Sequence, residues 1–103
     1  MKKFILIYSG KSGMGSTEEE IKMITQKWNE WFSSLGANLV DGGFPFMPNP
    51  KMTNGKEEME SKSELTGYSI VKAENYAKAM EMAMSCPVNQ TGQMVNVFEE
   101  QPM

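Results

Sequence analysis

The chain has 103 residues, a mass of 11.6 kDa, a formal net charge of −3 and ten basic residues that are all lysine. Because arginine is absent, the chain lacks the planar donor fork that suits phosphates and guanine edges, and it has no basic run to attract an anionic membrane. We therefore expect neither a nucleic-acid nor a membrane partner. One cysteine and no histidine exclude an internal disulfide and a structural zinc site, so we expect no metal, and we expect no cofactor either. Nothing in the cysteine usage indicates an oxidising compartment and no segment is long enough to span a bilayer, so we expect a cytoplasmic location. The length fits one domain, residues 1–103.

The first strand and the first helix have the clearest patterns. Residues 4–8 are apolar, and several are β-branched or aromatic, which is typical of a central strand. After the glycine-rich loop 10–15, Ser16 and Glu19 fit a capping box and predict the start of a helix. Gly36 is expected at the C-terminal cap of this helix, in the left-handed conformation. Six apolar residues between the two caps form one helical stripe: Ile21, Ile24, Trp28, Trp31, Phe32 and Leu35.

The middle of the chain is less regular. Residues 37–40 predict a short second strand, and the Asp-Gly-Gly sequence at 41–43 is typical of a turn or a bulge. Segment 44–63 contains three prolines, an Asn-Gly turn and many charges. We interpret it as a long excursion that holds a partial strand and is mobile at its tip. Ordered excursions of this length often cover a site.

The last third of the chain predicts a strand at 65–72, a helix that ends at Cys86-Pro87, and a strand at 94–98. The stripe of this second helix consists of Tyr76, Met80, Ala83 and Met84. The complete order predicts a ferredoxin-like βαββαβ fold of the α+β class, with both helices on one face of an antiparallel sheet. The other face needs a cover. A second copy packed sheet to sheet would provide it and would enclose a cavity, so we expect a homodimer.

In this order the residues resemble the YCII-related, DGPF-type family. The resemblance covers nearly the whole chain outside segment 44–63, and it implies a ferredoxin-like fold of the dimeric α/β-barrel superfamily and a homodimer. Four marks carry it: residues 4–10, residues 28–36 ahead of 40–43, residues 67–71 ahead of a helix that ends in Cys86-Pro87, and Val95-Asn96-Val97 with the trailing Pro102.

The catalytic residues of the family have no counterpart in this sequence. Some YCII-type relatives carry a proposed catalytic dyad, with a His in the first helix and an Asp in an Asp-Pro pair. This chain has no histidine, and Cys86 stands before Pro87 where that Asp is expected. The Asp-Gly-Pro-Phe tetrapeptide is also missing from the region before Gly67. The resemblance therefore leaves open whether the protein is an enzyme.

Three other features suggest chemistry, and each also has a simpler interpretation. Loop 10–15 lacks the glycine spacing of a phosphate loop, so we favour a flexible connector over an anion site. Cys86 lies at a helix C-terminus, whose dipole raises a thiol pKa, so we expect it to pack rather than react. Met80 and Met84 fall at core spacing, so we favour core filling over Cu(I) ligation.

A small polar and aromatic set is predicted to line the cavity between the sheets. Asp41 is the only aspartate and lies beside two glycines, so it is the best candidate for a general base or polar anchor, although a turn-forming role fits equally well. Tyr8 and Tyr68 would donate hydrogen bonds, and Trp28 and Trp31 would provide aromatic walls. Packing in the core or the dimer interface is the alternative for these aromatic residues.

These observations favour a homodimeric protein that binds a small organic molecule in a cavity formed by its sheets. One alternative is a cofactor-free acid–base enzyme of the isomerase, lyase or monooxygenase type, acting on a hydrophobic metabolite. It rests on analogy with the superfamily. Another alternative is a structural or regulatory partner protein. A cavity holding a carboxylate with a displaced pKa would favour the enzyme, and a sheet face filled by packing would favour the partner protein.

Overall fold

The computed structural model describes residues 1–10 and 17–102. Short 3-10 turns at Gly36–Asn38 and Pro87–Thr91 follow the two helices. The glycine-rich loop beyond Gly10 lies outside the described residues. The helices and strands of the described chain are β1 Lys2–Ser9, α1 Glu18–Leu35, β2 Leu39–Asp41, β3 Lys51–Thr53, β4 Glu58–Glu60, β5 Leu65–Ala73, α2 Tyr76–Met84 and β6 Met94–Glu99.

The main sheet has the strand order β2-β5-β1-β6, and every neighbouring pair is antiparallel. Helix α1 connects β1 to β2, and helix α2 connects β5 to β6. Strands β3 and β4 form a separate two-stranded hairpin. Without this hairpin, the element order and sheet order are those of the ferredoxin-like fold, so the predicted fold class is confirmed.

Side-chain alternation gives the main sheet two unequal faces. Apart from the exposed Lys2 at the start of β1 and the exposed first residue of β5, the inner-face side chains of β1 and β5 are at most 5% exposed, and both helices pack against them. The inner-face core consists of Phe4, Leu6, Tyr8, Ser69, Val71 and Ala73 from the strands, with Trp31, Leu35, Ala79 and Ala83 from the helices. The opposite face, called the open face below, carries the alternate residues of the same strands and faces away from both helices.

Helix α1 begins one residue later than the sequence predicted. Its N-cap is Thr17, whose Oγ1 accepts a hydrogen bond from the Glu20 amide at 3.1 Å. The predicted capping box of Ser16 and Glu19 is therefore wrong, and Ser16 lies outside the described residues. The Thr-Glu-Glu-Glu sequence fits the same capping pattern one residue later in the chain. Gly36 ends the helix as predicted, with a positive φ of 55°, but its ψ of −127° lies outside the left-handed helical conformation that was expected.

The apolar stripe of α1 is confirmed in its C-terminal half. Trp31 and Leu35 are buried, and Trp28 and Phe32 pack against the core at partial exposure. Ile21, in the first turns, is 38% exposed and lies outside the core. Among the described residues, no helix combines the length and apolar character needed to cross a membrane.

Helix α2 packs through only part of the predicted stripe, because Ala83 is buried as predicted while Tyr76, Met80 and Met84 are exposed. Ala79 and Ala83 are at most 2% exposed, whereas Met80 and Met84 are 42% and 74% exposed. The prediction that these methionines fill the core is therefore wrong. The physical reason is size, since alanine lets the helix approach the sheet closely while the longer side chains extend over the outer surface.

Segment 37–63 also differs in detail from the prediction. The second strand spans Leu39–Asp41 rather than residues 37–40, because a 3-10 turn uses the first part of that segment. The partial strand predicted within the excursion is present as the β3–β4 hairpin. Its register pairs Lys51 with Glu60 and Thr53 with Glu58.

A glycine bulge after β2 holds the edge of the main sheet close to β5. Gly43 has a positive φ of 73°, and a Cβ built on it would overlap the carbonyl oxygen of Tyr68. The Gly43 amide donates to Asp41 Oδ1 at 2.8 Å, and the chain then pairs with β5 again through Pro45 and Gly67. Only glycine permits both this φ and this close approach.

We therefore predict that Gly43→Ala lowers the free energy of unfolding by at least ~3 kcal/mol, because positive-φ strain adds to backbone overlap. Gly55→Ala is the matched control. Gly55 also has a positive φ, of 93°, but its added Cβ meets nothing within 4 Å, so its cost should stay near ~1 kcal/mol. Urea unfolding measures both variants. Equal losses would show that close packing at the bulge contributes nothing.

Candidate functional site

The structure divides the predicted site residues between the two faces of the sheet. Tyr8 pairs with Gly67 on the inner face, where Trp28 and Trp31 also pack. Tyr68 lies on the open face, opposite Ile7 of β1. The five residues therefore form no common site. Tyr8 and the two tryptophans lie on the far side of the sheet from any cavity between two open faces.

Asp41 lies on the edge strand next to the open face. The register places it opposite Ile70, whose side chain belongs to that face, after a bulge between Leu39 and Asp41. Its Oδ1 accepts the Gly43 amide, so the turn-forming role is observed. The residue is exposed, so a ligand can also approach its carboxylate. Its role as a base or polar anchor stays a prediction.

Tyr8 takes part in a buried hydrogen-bond chain through the inner face. Its Oη donates to Ser69 Oγ at 2.6 Å, and Ser69 Oγ donates to the Gly42 carbonyl at 2.7 Å. The chain joins β1, β5 and the glycine bulge across the core. Burial, and then the neighbouring Cys86, raise the pKa of the Tyr8 hydroxyl, so it keeps its proton at neutral pH.

The two predicted tryptophans belong to an aromatic cluster between α1 and the sheet. Trp28 makes edge contacts with Tyr8 and Trp31, at ring-centroid distances of 5.3 Å and 5.6 Å. The Trp31 indole N–H donates to the Met82 carbonyl and to Ser85 Oγ, which anchors α1 to the end of α2. These contacts are those of core packing.

The open face has an apolar floor with polar groups on it. Ile5, Ile7 and Ile70 are half-buried, and Phe98 of β6 is 54% exposed. Asn96, opposite Ile7, donates from its amide to the Ile7 carbonyl and to Ser9 Oγ. Neither helix covers this surface, on which apolar and polar side chains meet.

Phe46 is a residue of the open face that sequence reasoning missed. Its ring stacks on Tyr68 with centroids 6.0 Å apart and an interplanar angle of 26°. The Phe46 amide donates to the Thr66 carbonyl at 2.7 Å, which attaches the start of the excursion to β5. The only sequence signal was an aromatic residue between two prolines, in a segment that reads as irregular.

Two lysines, also missed from the sequence, lie opposite each other on the open face. Lys3 of β1 pairs with Lys72 of β5, so like charges are direct cross-strand neighbours. The salt bridges of the described residues involve neither of them. Two facing ammonium groups favour an anionic group between them. The alternation of side chains along each strand could have revealed this pair, but only if the pairing register of β1 and β5 had been known.

Cys86 is buried at 1% exposure, which confirms that it packs in the core. Burial raises the pKa of its thiol to about 11, so the reactive thiolate is scarce at neutral pH. Within the described part of the chain, no three His, Cys, Asp or Glu residues come together as a metal site requires.

Two surface grooves lie away from the open face. One, of about 340 Å³, runs between α1 and the end of α2 and is lined by Lys27, Trp31 and Ser85, among others. The other, of about 320 Å³, lies between α2 and the start of β6. Both are shallow and open to solvent, and neither contains Asp41 or Tyr68.

Comparison with known proteins supports the fold. No family model matches the chain, and no curated protein matches it in sequence. Among solved structures it is similar to a 5-chloro-2-hydroxyhydroquinone dehydrochlorinase from Burkholderia phenoliruptrix AC1100, in complex with 2,5-dihydroxybenzoquinone. The TM-score is 0.58 at 16% identity, over 98% of this chain and 93% of that chain. At this identity the likeness shows the fold, which is the one that the YCII resemblance implies, and membership in that family stays a prediction.

The buried hydrogen-bond chain predicts an asymmetry between two variants. Tyr8→Phe removes the donor to Ser69 and the hydrogen bond with Cys86, but Ser69 Oγ keeps its bond to the Gly42 carbonyl. It should therefore cost ~1 kcal/mol of unfolding free energy. Ser69→Ala leaves the Tyr8 hydroxyl and the Gly42 carbonyl without their shared partner, so it should cost ~2–3 kcal/mol. Urea unfolding of each variant measures the difference. A loss in Tyr8→Phe as large as in Ser69→Ala would contradict the proposed order of donors.

The Cys86 thiol predicts a loss of stability at alkaline pH. Its pKa is raised in the folded protein from 9.0 to about 11, so the folded state holds this proton more tightly than the unfolded chain. The unfolding free energy should therefore fall as the pH rises from about 9 to about 11, by at most ~1.4 kcal/mol per pH unit for this group. Cys86→Ala should show a shallower fall, whereas an unchanged slope would exclude the thiol as its source.

Proposed function

We propose that the chain is a YCII-like homodimer that binds a small organic molecule between the open faces of two sheets. One observation carries the proposal. The main sheet has two helices on its inner face, and its open face exposes apolar and aromatic side chains together with a few polar groups. A face of this composition is typical of an interaction surface rather than of a surface that stays exposed to solvent.

The area of the open face sets the size of the interface that it can form. The four strands have eight, nine, six and three residues. At ~3.4 Å per residue and ~4.8 Å between strands they give a flat area of about 400 Å², before side-chain relief is added. This is about half of the ~800 Å² that one partner contributes to a standard interface. Facing sheets lie ~10 Å apart, and their twist leaves space between them where the side chains are short.

The polar groups on this face favour a planar ring that bears hydroxyl or oxyanion groups. Along β5 the open-face residues are Tyr68, Ile70 and Lys72, spaced ~6–7 Å from one to the next. Ile70 offers a flat apolar contact, the Tyr68–Phe46 pair an aromatic wall, and Lys72 a cation. Asp41, beside Ile70, can accept a hydrogen bond from a ligand hydroxyl. The quinone bound by the fold neighbour belongs to this chemical class.

The described residues support binding more directly than catalysis. Tyr8 and Cys86 both have raised pKa values and remain protonated at neutral pH, so neither acts as a base or nucleophile there. Both also lie on the inner face. An acid–base role for Asp41 would require it to contact the ligand across the dimer interface.

NMR titration with 2,5-dihydroxybenzoquinone, catechol and salicylate tests the proposal. We predict saturable amide shifts at Ile7, Tyr68 and Ile70, because these residues form the floor and wall of the cavity. Lys72→Gln should weaken binding of the acidic ligands by about tenfold, as expected for one lost charge-assisted contact, with little change in melting temperature.

The matched control is Lys78→Gln, since Lys78 is an exposed lysine on α2 whose neighbour is Glu81 of the same helix. It should leave binding unchanged. Shifts confined to helix residues, or no shift at millimolar concentration of all three compounds, would contradict a site on the open face.

A further inference from the structure

The β3–β4 hairpin extends away from the core of the described chain. Its strands form their own two-stranded sheet, and of their six residues only Met59 is half-buried, while the rest are exposed. The Cα radius of gyration is 14.9 Å, against about 13 Å expected for a compact domain of this length. Residues 47–62, which contain the hairpin and its two flanks, are called the arm below.

The arm has a well-defined internal structure. Asn54 Oδ1 accepts hydrogen bonds from the amides of Lys56 and Glu57, which fixes the turn. Lys51 and Glu58 form a salt bridge at 3.1 Å, and the Ser61 amide donates to the Pro50 carbonyl. Even so, an isolated two-stranded hairpin in water is marginal at best, so the arm needs contacts that its own residues do not provide.

The arm also carries apolar side chains that the chain itself leaves uncovered. Met47 is 84% exposed and Met52 is 49% exposed. Met52 lies opposite Met59, so these thioethers form a cross-strand pair. Methionine adapts readily to irregular partner surfaces. The arm therefore has the composition of a contact element.

The base of the arm lies on the open face. Phe46, the residue directly before it, stacks on Tyr68, and its amide is bonded to β5. The arm therefore begins at the rim of the open face, which the proposed dimer covers. In a two-fold dimer with facing sheets, the base of each arm would therefore lie beside the partner's sheet.

From this placement we propose that the arm of each copy packs across the dimer interface onto the second copy of this chain and closes one side of the cavity between the sheets. This inference rests on the dimer of the proposed function. A second copy of the chain would then cover both the arm and the rim of the open face. Each ligand cavity would be formed by residues of both copies.

Paramagnetic relaxation in mixed dimers tests this contact directly. A nitroxide is attached at Met52→Cys in one chain, and amide signals are recorded from a second, ¹⁵N-labelled chain without the nitroxide. Cys86 is buried with a raised thiol pKa, so labelling should be confined to position 52. We expect broadened signals in the ¹⁵N chain among open-face and rim residues. A nitroxide at Lys22→Cys, on the exposed side of α1, is the control and should broaden few signals between chains.

A second pair of variants measures the contribution of the arm to association. Met47→Glu with Met52→Glu should raise the dimer dissociation constant at least tenfold without lowering the melting temperature, since both residues are exposed within one chain. Met23→Glu with Met84→Glu alters two equally exposed methionines on the helices and should leave association unchanged.

The outcomes separate the two proposals. A dimer whose ¹⁵N chain shows no broadening from position 52, and whose association is unaffected by the arm variant, would overturn the arm contact and leave the sheet-to-sheet dimer intact. A wild-type chain that sediments as a monomer at every concentration would overturn both.

Discussion

The period of two along a β-strand is the constraint on which the rest of this structure depends. Each strand of the main sheet sends half of its side chains to either face, and the two helices of a βαββαβ chain cover the same face. The inner face is filled by residues such as Phe4, Leu6 and Val71, which are fully buried. The alternate residues of the same strands are left on the open face. With two helices and 103 residues, the chain has little other material to cover them.

The inner face supports the open face through the glycine bulge. Ser69 connects Tyr8 of the central strand to the Gly42 carbonyl. Gly43 then lets the backbone pass against Tyr68 without a Cβ between them. This close passage brings Phe46 onto Tyr68 and starts the excursion on the rim of the open face. A buried hydrogen-bond chain on one side of the sheet therefore fixes where the aromatic pair and the arm stand on the other side.

The order of elements could be predicted from the sequence because it depends on local patterns. The apolar run of β1, the stripe and glycine cap of α1, and the proline after α2 are all readable within a few turns of chain. The side of α2 that packs against the sheet could not be predicted from such local patterns. The predicted stripe of Tyr76, Met80, Ala83 and Met84 is as regular as the pair Ala79 and Ala83 that is buried. The choice between them depends on how closely the helix approaches the sheet.

The site residues were harder to predict for a related reason. Tyr8 and Tyr68 are both tyrosines on central strands, and only the register shows that they point to opposite faces. The Lys3–Lys72 pair and the Phe46–Tyr68 stack likewise join residues that are far apart in sequence. Asp41 was assigned two roles, and the turn-forming role is the one visible in its hydrogen bond to Gly43.

Sedimentation equilibrium of the wild-type chain shows whether a second copy covers the open face. We predict a species of twice the 11.6 kDa chain mass, in reversible equilibrium with the monomer as the protein is diluted. A mass of 11.6 kDa that persists to millimolar concentration would contradict it, because the open face would then be a surface that remains in water.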